Sequence, residues 1–276
     1  MWGKKDKHCD PLDPDDAQQG SYWDLVIIDP ETKLIVSLVV GRRNADTVVQ
    51  VFTDFYERTN GYLPEVIMTD GYGVYEPVIV ATYGVWRGEL ELTPEQDARF
   101  DRHGMPQYYF PVEISYAKVV KVREGGRVVA VAGEVVLGSE EQLEEALAES
   151  EQSETINTSF VERWFGTQRQ FNARKKRKAY TFSKELSFHE ACTWLVVLWY
   201  NFGWCVRTLR QQIQEEPPRY HQRTPAMAAG LTDHPWRMHE LLCYPLYPPK
   251  EPPPKKVRTY QEVLERLEGS GMEAAP

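Results

Sequence analysis

Two carboxylates stand in sequence contexts that suit metal-dependent chemistry on nucleic acid. Asp70 ends the apolar segment 65–70 and is followed by glycine, whereas Glu162 lies in the segment 156–163, directly before a basic tract. Cleaving a phosphodiester bond requires an activated nucleophile and a stabilised leaving oxygen, and two magnesium ions about 3.5–4 Å apart provide both. Magnesium takes oxygen ligands and keeps several waters, so a few carboxylates that converge from different elements can hold it.

Each carboxylate also has a simpler explanation. An aspartate before glycine at a strand end is most often a turn former, and a glutamate beside arginine on a helix is most often a solvated ion-pair partner. For either residue alone the simpler explanation is favoured. The two carboxylates together, with the basic tract that follows Glu162, favour the catalytic interpretation.

The basic tract runs from residue 163 to residue 178 and contains no acidic side chain, whereas the neighbouring segment 140–154 holds seven glutamates and no basic residue. The whole chain carries a net charge of −9, but phosphate contacts are made by local patches. We expect the tract to contact a phosphate backbone without reading sequence. A charged, solvated helix end is the alternative. The predicted DNA-binding residues are Arg163, Arg169, Arg174, Lys175, Lys176, Arg177 and Lys178.

The order of predicted elements places Asp70 at the end of a strand. Residues 22–29 and 34–40 are predicted to form a hairpin, and Asn44 to cap an amphipathic helix. Residues 66–69 then form a short buried strand. In open α/β sheets, functional sites cluster at the carboxyl ends of strands, which is where Asp70 falls.

The remaining chain is predicted to contain further elements and a linker. They are a β-hairpin insertion within 112–137, an acidic solvated helix at 139–150, a helix at 160–168, a buried helix at 184–210, a proline-rich linker at 245–254 and a capped helix at 259–267. The helix at 160–168 matters most, because it supplies the carboxylate of Glu162 from a second element.

Composition limits the class of protein. The chain has 276 residues, of which 42% are hydrophobic, as expected of a globular protein. Neither a signal peptide nor an apolar run long enough to span a bilayer is expected. The four cysteines form no C-x-x-C pair, which predicts a reduced interior and no zinc ribbon. The four histidines weighed show no metal-ligand spacing and are interpreted as packing or surface residues: His189, His221, His234 and His239.

Four stretches resemble one known family, the insertion-sequence-one-type transposases of the Asp-Asp-Glu class. They lie within residues 22–43, 69–75, 157–184 and 200–232, and the resemblance that they carry extends over most of residues 1–245. The third and fourth stretches are the most specific. The resemblance implies an α/β fold with a ribonuclease-H-like mixed sheet flanked by helices, an inserted β-hairpin and a helical C-terminal region.

The resemblance also implies roles for the carboxylates. Asp70 matches the second catalytic aspartate of the family and Glu162 its glutamate, and both would hold Mg²⁺ or Mn²⁺. In relatives the first aspartate precedes a Gly-Lys-Lys tripeptide, which here is residues 3–5, so we expect that aspartate to lie upstream of residue 1. Asp24 and Asp29 fall on the second strand by this resemblance and are not expected to replace it.

The implied function is DNA transposition, by metal-dependent DNA cleavage and strand transfer. The implied catalytic core is residues 1–215, with an insertion at 90–155, followed by a C-terminal extension at 216–276. The implied partners are element-end and target DNA and further copies of the chain, with no membrane. The implied location is the cytoplasm of a prokaryote, in association with the nucleoid. Phe165 departs from the family, whose members often carry asparagine there.

Three functions stay open at this point. The chain could be a transposase whose activity is impaired because a carboxylate is missing. It could be an inactive remnant that binds DNA or a full-length partner. It could also be a stand-alone nuclease, such as a ribonuclease H or a junction resolvase, although the segment 223–232 resembles transposases specifically and counts against this.

Overall fold

The computed structural model describes residues 8–10, 12–13, 20–86, 108–109, 114–125, 127–150, 152, 155–176, 181, 183, 185–217 and 219–244. These residues fall into two compact units. The first unit contains the described residues up to Arg42 and those from Phe160 onward, and the second contains those from Arg43 to Ser159. The division at residue 215 between core and extension stays a prediction.

The first unit begins with the predicted hairpin. Strand β1 (Trp23–Ile28) pairs antiparallel with β2 (Ile35–Gly41). The turn between them is closed by Asp29, whose carboxylate accepts hydrogen bonds from the amides of Glu31 at 3.0 Å and Thr32 at 3.2 Å. Short side chains that bond their own backbone in this way favour turns over regular structure.

Two helices pack on this hairpin. Helix α4 (Ser159–Phe171) and helix α5 (Leu186–Leu198) contribute Trp164 and Val197 to a core that includes Ile35, Leu38 and Tyr200. The rings of Trp164 and Tyr200 lie 4.7 Å apart. The core thus buries one face of each helix against the sheet (helices α1 to α3 belong to the second unit, described below).

The helix predicted for 184–210 is shorter than expected. A π-helical turn at Trp199–Gly203 follows α5, and its Asn201 side chain accepts from the amide of Ile35 at 3.0 Å and donates to the carbonyl of Ile35 at 2.9 Å. The amide group therefore pairs with strand β2 as a neighbouring strand would. A 3-10 turn at Arg207–Leu209 replaces the predicted end of the helix.

The described part of the first unit ends in small elements. They are strands β8 (Gln211–Gln214) and β9 (Arg219–His221), which form an antiparallel pair, and helices α6 (Pro225–Ala228) and α7 (Met238–Cys243). The predicted linker at 245–254 and helix at 259–267 lie outside the described residues.

The second unit contains a mixed three-stranded sheet. Strand β3 (Val66–Asp70) runs parallel to β6 (Ser115–Glu124), which pairs antiparallel with β7 (Arg127–Leu137). The predicted hairpin is confirmed as β6 and β7. Its first strand is the centre of the sheet that carries Asp70, so the hairpin is an integral part of this sheet.

Helices accompany this sheet. Helix α1 (Ala45–Arg58) starts at the predicted cap, where Asn44 accepts from the amide of Thr47 at 3.1 Å. Helix α2 (Tyr75–Tyr83) meets α1 through edge-on contacts between aromatic rings. Helix α3 (Glu140–Glu149) is the predicted acidic helix, and it packs Leu143 and Leu147 against the sheet. A short pair, β4 (Val85–Trp86) and β5 (Tyr108–Tyr109), completes the unit.

The mixed α/β class expected from the sequence is confirmed. The predicted order of strand, strand, helix, strand is also found, as β1, β2, α1 and β3. Among the described residues the strands form separate small sheets, with β1 and β2 in one and β3, β6 and β7 in another.

Candidate functional site

Asp70 occupies the last position of β3, as predicted. Its carboxylate is 57% exposed, and its Oδ2 lies 3.9 Å from the guanidinium of Arg43. Its Oδ1 accepts a hydrogen bond of 3.2 Å from the amide of Tyr72. Strand β3 ends beside the middle of the parallel strand β6, where Asp70 pairs with Val119, and its carboxyl end presents Asp70 to solvent.

A cavity of about 600 Å³ opens beside Asp70, and we call it the Asp70 pocket. It lies within the second unit. Its lining residues are Arg43, Asp70, Gly71, Tyr72, Lys118, Val119, Val120, Lys121, Glu134 and Thr158. Six of these residues belong to β3, β6 and β7, so the sheet forms most of the wall.

Three charged residues of the Asp70 pocket were not predicted from the sequence. Lys118 and Lys121 come from β6, and Glu134 from β7. The ammonium of Lys118 lies 3.1 Å from a carboxylate oxygen of Glu134, its cross-strand neighbour. Basic residues within a valine-rich strand were the available signal, but only the parallel pairing of β6 with β3 brings them to Asp70.

Aromatic side chains pack beside Asp70. The guanidinium of Arg43 lies over the ring of Tyr72, 4.5 Å from its centroid, and the Tyr72 hydroxyl donates to the Arg43 carbonyl at 3.2 Å. The Tyr72 ring meets Tyr75 edge-on at 5.7 Å. Burial raises the pKa of the Tyr75 phenol, and the negative charge of Asp70 raises it further, so this phenol stays protonated at neutral pH.

Glu162 belongs to the first unit, whereas Asp70 belongs to the second. Glu162 lies in the first turn of α4 and is exposed, as are Arg163 and Arg169. The opposite face of α4 is buried through Trp164 and Gln168. The helix therefore turns its carboxylate and its arginines towards solvent, because its apolar face is taken up by the core.

The residues of the basic tract differ in how far they are buried. The exposed members are Arg163, Arg169, Arg174 and Lys176, and Arg177 and Lys178 lie outside the described residues. Lys175 differs, because its ammonium forms an ion pair with Asp24 and its side chain is 8% exposed. The predicted phosphate contact by Lys175 would require this pair to open.

Asp24 is the centre of a buried polar cluster on β1. Besides the Lys175 ammonium, its carboxylate accepts a hydrogen bond of 2.9 Å from Gln168, and the Nε2 of His189 lies 4.0 Å away. Burial lowers the pKa of Lys175. Burial, and then the charge of Lys175, lower the pKa of His189 to about 4, so His189 is neutral at pH 7. His189 is thus a packing residue, as interpreted from the sequence.

The two aspartates considered as substitutes for the missing carboxylate have structural contacts. Asp24 is surrounded by its partners, and Asp29 closes the turn between β1 and β2. Oxygens engaged in this way are poor ligands for a hydrated metal ion, which needs accessible lone pairs. Their geometry agrees with the expectation that neither replaces the first aspartate.

The fit of magnesium can be judged from the donor atoms. Asp70 is suitable as a single oxygen ligand, because its carboxylate is exposed and its Oδ2 lies beyond hydrogen-bond distance of Arg43. Glu134 lines the same pocket but is paired with Lys118. Within the part of the chain that the structure describes, no three His, Cys, Asp or Glu side chains are grouped to hold a metal ion.

Comparisons with protein-family models, curated proteins and solved structures find no match to this chain. In the described ranges, no helix has the length and apolar character needed to cross a membrane.

Proposed function

We propose that this protein is a DNA transposase with a ribonuclease-H-like core, which cleaves DNA and transfers strands in a metal-dependent reaction. The observation that carries the proposal is the position of Asp70, at the carboxyl end of a parallel strand and in a pocket lined by basic side chains. The order of β1, β2, α1 and β3, followed by a helix with Glu162, supports the same assignment.

Asp70 and Glu162 are the proposed metal ligands. When bound, magnesium or manganese would activate the attacking water or 3′-hydroxyl and stabilise the leaving oxygen. The contribution of this chain is to present Asp70 at the end of β3, where the amide of Tyr72 orients its carboxylate. Glu162 is presented by α4, which the core anchors through Trp164.

The basic side chains are the proposed contacts for the DNA backbone. Arg43, Lys118 and Lys121 line the Asp70 pocket, where a phosphate could approach the carboxylate. Arg163, Arg169, Arg174 and Lys176 are exposed on the first unit. Such contacts supply affinity that does not depend on base sequence and that weakens as salt rises.

The test is a DNA cleavage and strand-transfer assay on DNA that carries the sequences flanking the gene. We expect the purified chain to bind this DNA in a magnesium-dependent way and to show weak cleavage and strand transfer. Asp70→Asn and Glu162→Gln should each reduce both binding and activity. Asp46→Asn is a matched control, because it removes one exposed carboxylate from the second unit outside the pocket. Equal activity of the Asp70→Asn and Asp46→Asn variants would contradict the proposal.

An inactive DNA-binding remnant is the second candidate. The cation of Arg43 beside Asp70 favours it, because a fixed positive charge competes with a metal ion for the carboxylate. In this case DNA binding would persist, whereas no cleavage would occur with magnesium or manganese. Arg43→Gln separates the two candidates: it should strengthen metal binding at Asp70 if the site is a working one.

A further inference from the structure

Two exposed aromatic side chains touch each other on the surface of the first unit. Phe171 is the last residue of α4, and Trp204 directly follows the π-helical turn after α5. Their ring centroids lie 4.9 Å apart, with an angle of 73° between the ring planes. Phe171 is 37% exposed and Trp204 is 43% exposed, so each ring supports the other and still presents part of its surface to solvent. We call these two residues the aromatic pair.

The backbone holds the aromatic pair in place. The amide of Trp204 donates a hydrogen bond of 2.8 Å to the carbonyl of Trp199. Gly203 lies against the Trp199 ring, since a Cβ atom at this glycine would be 2.4 Å from Cε3 of that ring. The edge-to-face contact with Phe171 is a favourable arrangement for two aromatic rings. A flat ligand that stacks on rings already held in this way loses little conformational entropy on binding.

Both segments of the chain that carry the aromatic pair are basic. The segment 163–178 has seven basic residues and no acidic one, and the segment 191–214 has two basic residues and no acidic one. Arg169, Arg174 and Arg207 lie within three residues of a member of the pair and are exposed. The surroundings of the rings therefore favour a ligand with several negative charges.

A ligand that is both anionic and aromatic fits this surface. Nucleic acid combines charged phosphates with flat bases, and proteins that bind single strands combine cationic side chains with aromatic rings on which the bases stack. In a duplex the faces of the bases are covered by the neighbouring base pairs, so only an unpaired base can stack on a protein ring. An acidic peptide would match the charges but would leave the two rings without a stacking partner.

We propose that Phe171 and Trp204 form a stacking site for an unpaired base of single-stranded DNA, whose phosphates contact Arg169, Arg174 and Arg207. The inference rests on the proposed function, which makes DNA the nucleic acid, and it adds that the protein holds a strand in its unpaired form. Aromatic stacking accepts every base, so the site is expected to have little sequence preference.

The experiment compares two labelled single strands of equal length, an oligodeoxythymidine and an abasic oligonucleotide. Each is about 12 nucleotides long, which is within the site sizes of proteins that bind single strands. Fluorescence anisotropy with the full chain in the presence of EDTA measures binding without cleavage. We expect the oligodeoxythymidine to bind more tightly, because the two strands carry the same phosphates and only one carries bases.

Substitutions in the aromatic pair test whether the rings cause this preference. Trp204→Ala and Phe171→Ala should each weaken the binding of the oligodeoxythymidine by about fivefold or more, the lower end of what stacking of one base contributes. Neither should change the binding of the abasic strand. Trp204→Phe keeps a flat ring and should keep most of the preference.

The controls remove exposed aromatic rings elsewhere in the first unit. Trp23→Ala and Phe188→Ala should leave the binding of both strands unchanged. Circular dichroism checks the folding of every variant. If an alanine variant of Trp204 misfolds, Trp204→Met takes its place, because it keeps an apolar side chain without a ring.

Three results would overturn the proposal. They are equal binding of the two strands by the unsubstituted protein, an equal loss of both strands in a folded Trp204 variant, and equally tight binding of labelled polyglutamate, which would show a site for any polyanion. Loss of stacking together with cleavage that depends on Asp70 would reject this inference alone. Stacking without any cleavage would reject the proposed function alone.

Discussion

Three aspartates show how surroundings decide the role of a residue. Asp70 is exposed at the end of β3, which leaves its carboxylate oxygens accessible to a solute. Asp24 is buried with a lysine and a glutamine, which suits a structural ion pair. Asp29 accepts from two backbone amides and closes a turn. The same side chain thus has three different surroundings in one chain.

The contacts of Asp24 predict that replacing Lys175 strongly lowers the stability of the protein. We expect Lys175→Met to lower the free energy of unfolding by about 3–5 kcal/mol, because it leaves the buried Asp24 carboxylate without its cation. Lys176→Met is the control, since its side chain is exposed and should change stability by less than about 0.5 kcal/mol. Urea denaturation of both variants measures the difference. Equal stability would show that the buried pair is not formed.

The lowered pKa of His189 predicts that the stability of the protein depends on pH. Its pKa falls from 6.5 to about 4 on folding, so below pH 6.5 the unfolded chain binds a proton that the folded chain excludes. Stability is therefore lost as pH falls from about 6.5 to 4, by about 1–2 kcal/mol after solvent screening is allowed for. His189→Gln should remove this part of the decline. The free energy of unfolding, measured at pH 7 and at pH 4.5 for the wild-type protein and for His189→Gln, tests this expectation.

At the scale of elements, Asn201 joins the end of α5 to strand β2. The structure predicts that Asn201→Ala destabilises the first unit by about 2–4 kcal/mol, because both backbone groups of Ile35 lose their partner in a buried position. Thermal unfolding of this variant measures the loss. Gln211→Ala is the control at an exposed position on β8. An unchanged midpoint for Asn201→Ala would mean that water replaces the amide.

Strand β7 has a close approach at Gly133. A Cβ atom at this position would lie 2.5 Å from Ile156 Cδ1 and 2.8 Å from its Cβ. We expect Gly133→Ala to destabilise the second unit by about 1–3 kcal/mol, because Ile156 must move within a packed core. A Cβ atom at Gly73 would have no atom within 4 Å, so Gly73→Ala serves as the control. Hydrogen exchange of the amides in β6 and β7 should rise only in the Gly133 variant.

For the whole molecule, the charge pattern predicts salt-dependent binding to DNA despite a net charge of −9. Each phosphate contact contributes about 0.9 to the slope of log affinity against log salt. We expect Lys121→Gln and Arg169→Gln each to reduce the slope by about 1. Arg219→Gln removes an exposed charge from β9 and should leave it unchanged. Fluorescence anisotropy with duplex DNA measures these slopes.

Local elements were largely predictable from the sequence. Asn44 and the apolar stripe after it defined α1, and the glycine at 125 marked the turn between β6 and β7. The end of α5 was not predictable. The apolar run continues through residue 202, and only the pairing of Asn201 with β2 explains the π-helical turn there.

The candidate site was predictable only in part. Asp70 was found because its position at a strand end is a local pattern. Lys118, Lys121 and Glu134 were missed, because they reach the pocket through the parallel pairing of β3 with β6.

By itself the sequence determined the α/β class, the order of β1, β2, α1 and β3, and the types of residues available for chemistry. These follow from turn residues, caps and apolar periodicity, which act within a few residues. The tertiary structure alone decided which charges are buried and which are exposed. Asp24 meets Gln168 and Lys175 across 144 and 151 residues of chain, and no local pattern records such a contact. Contacts of this kind assign Lys175 to the core and leave Asp70 accessible.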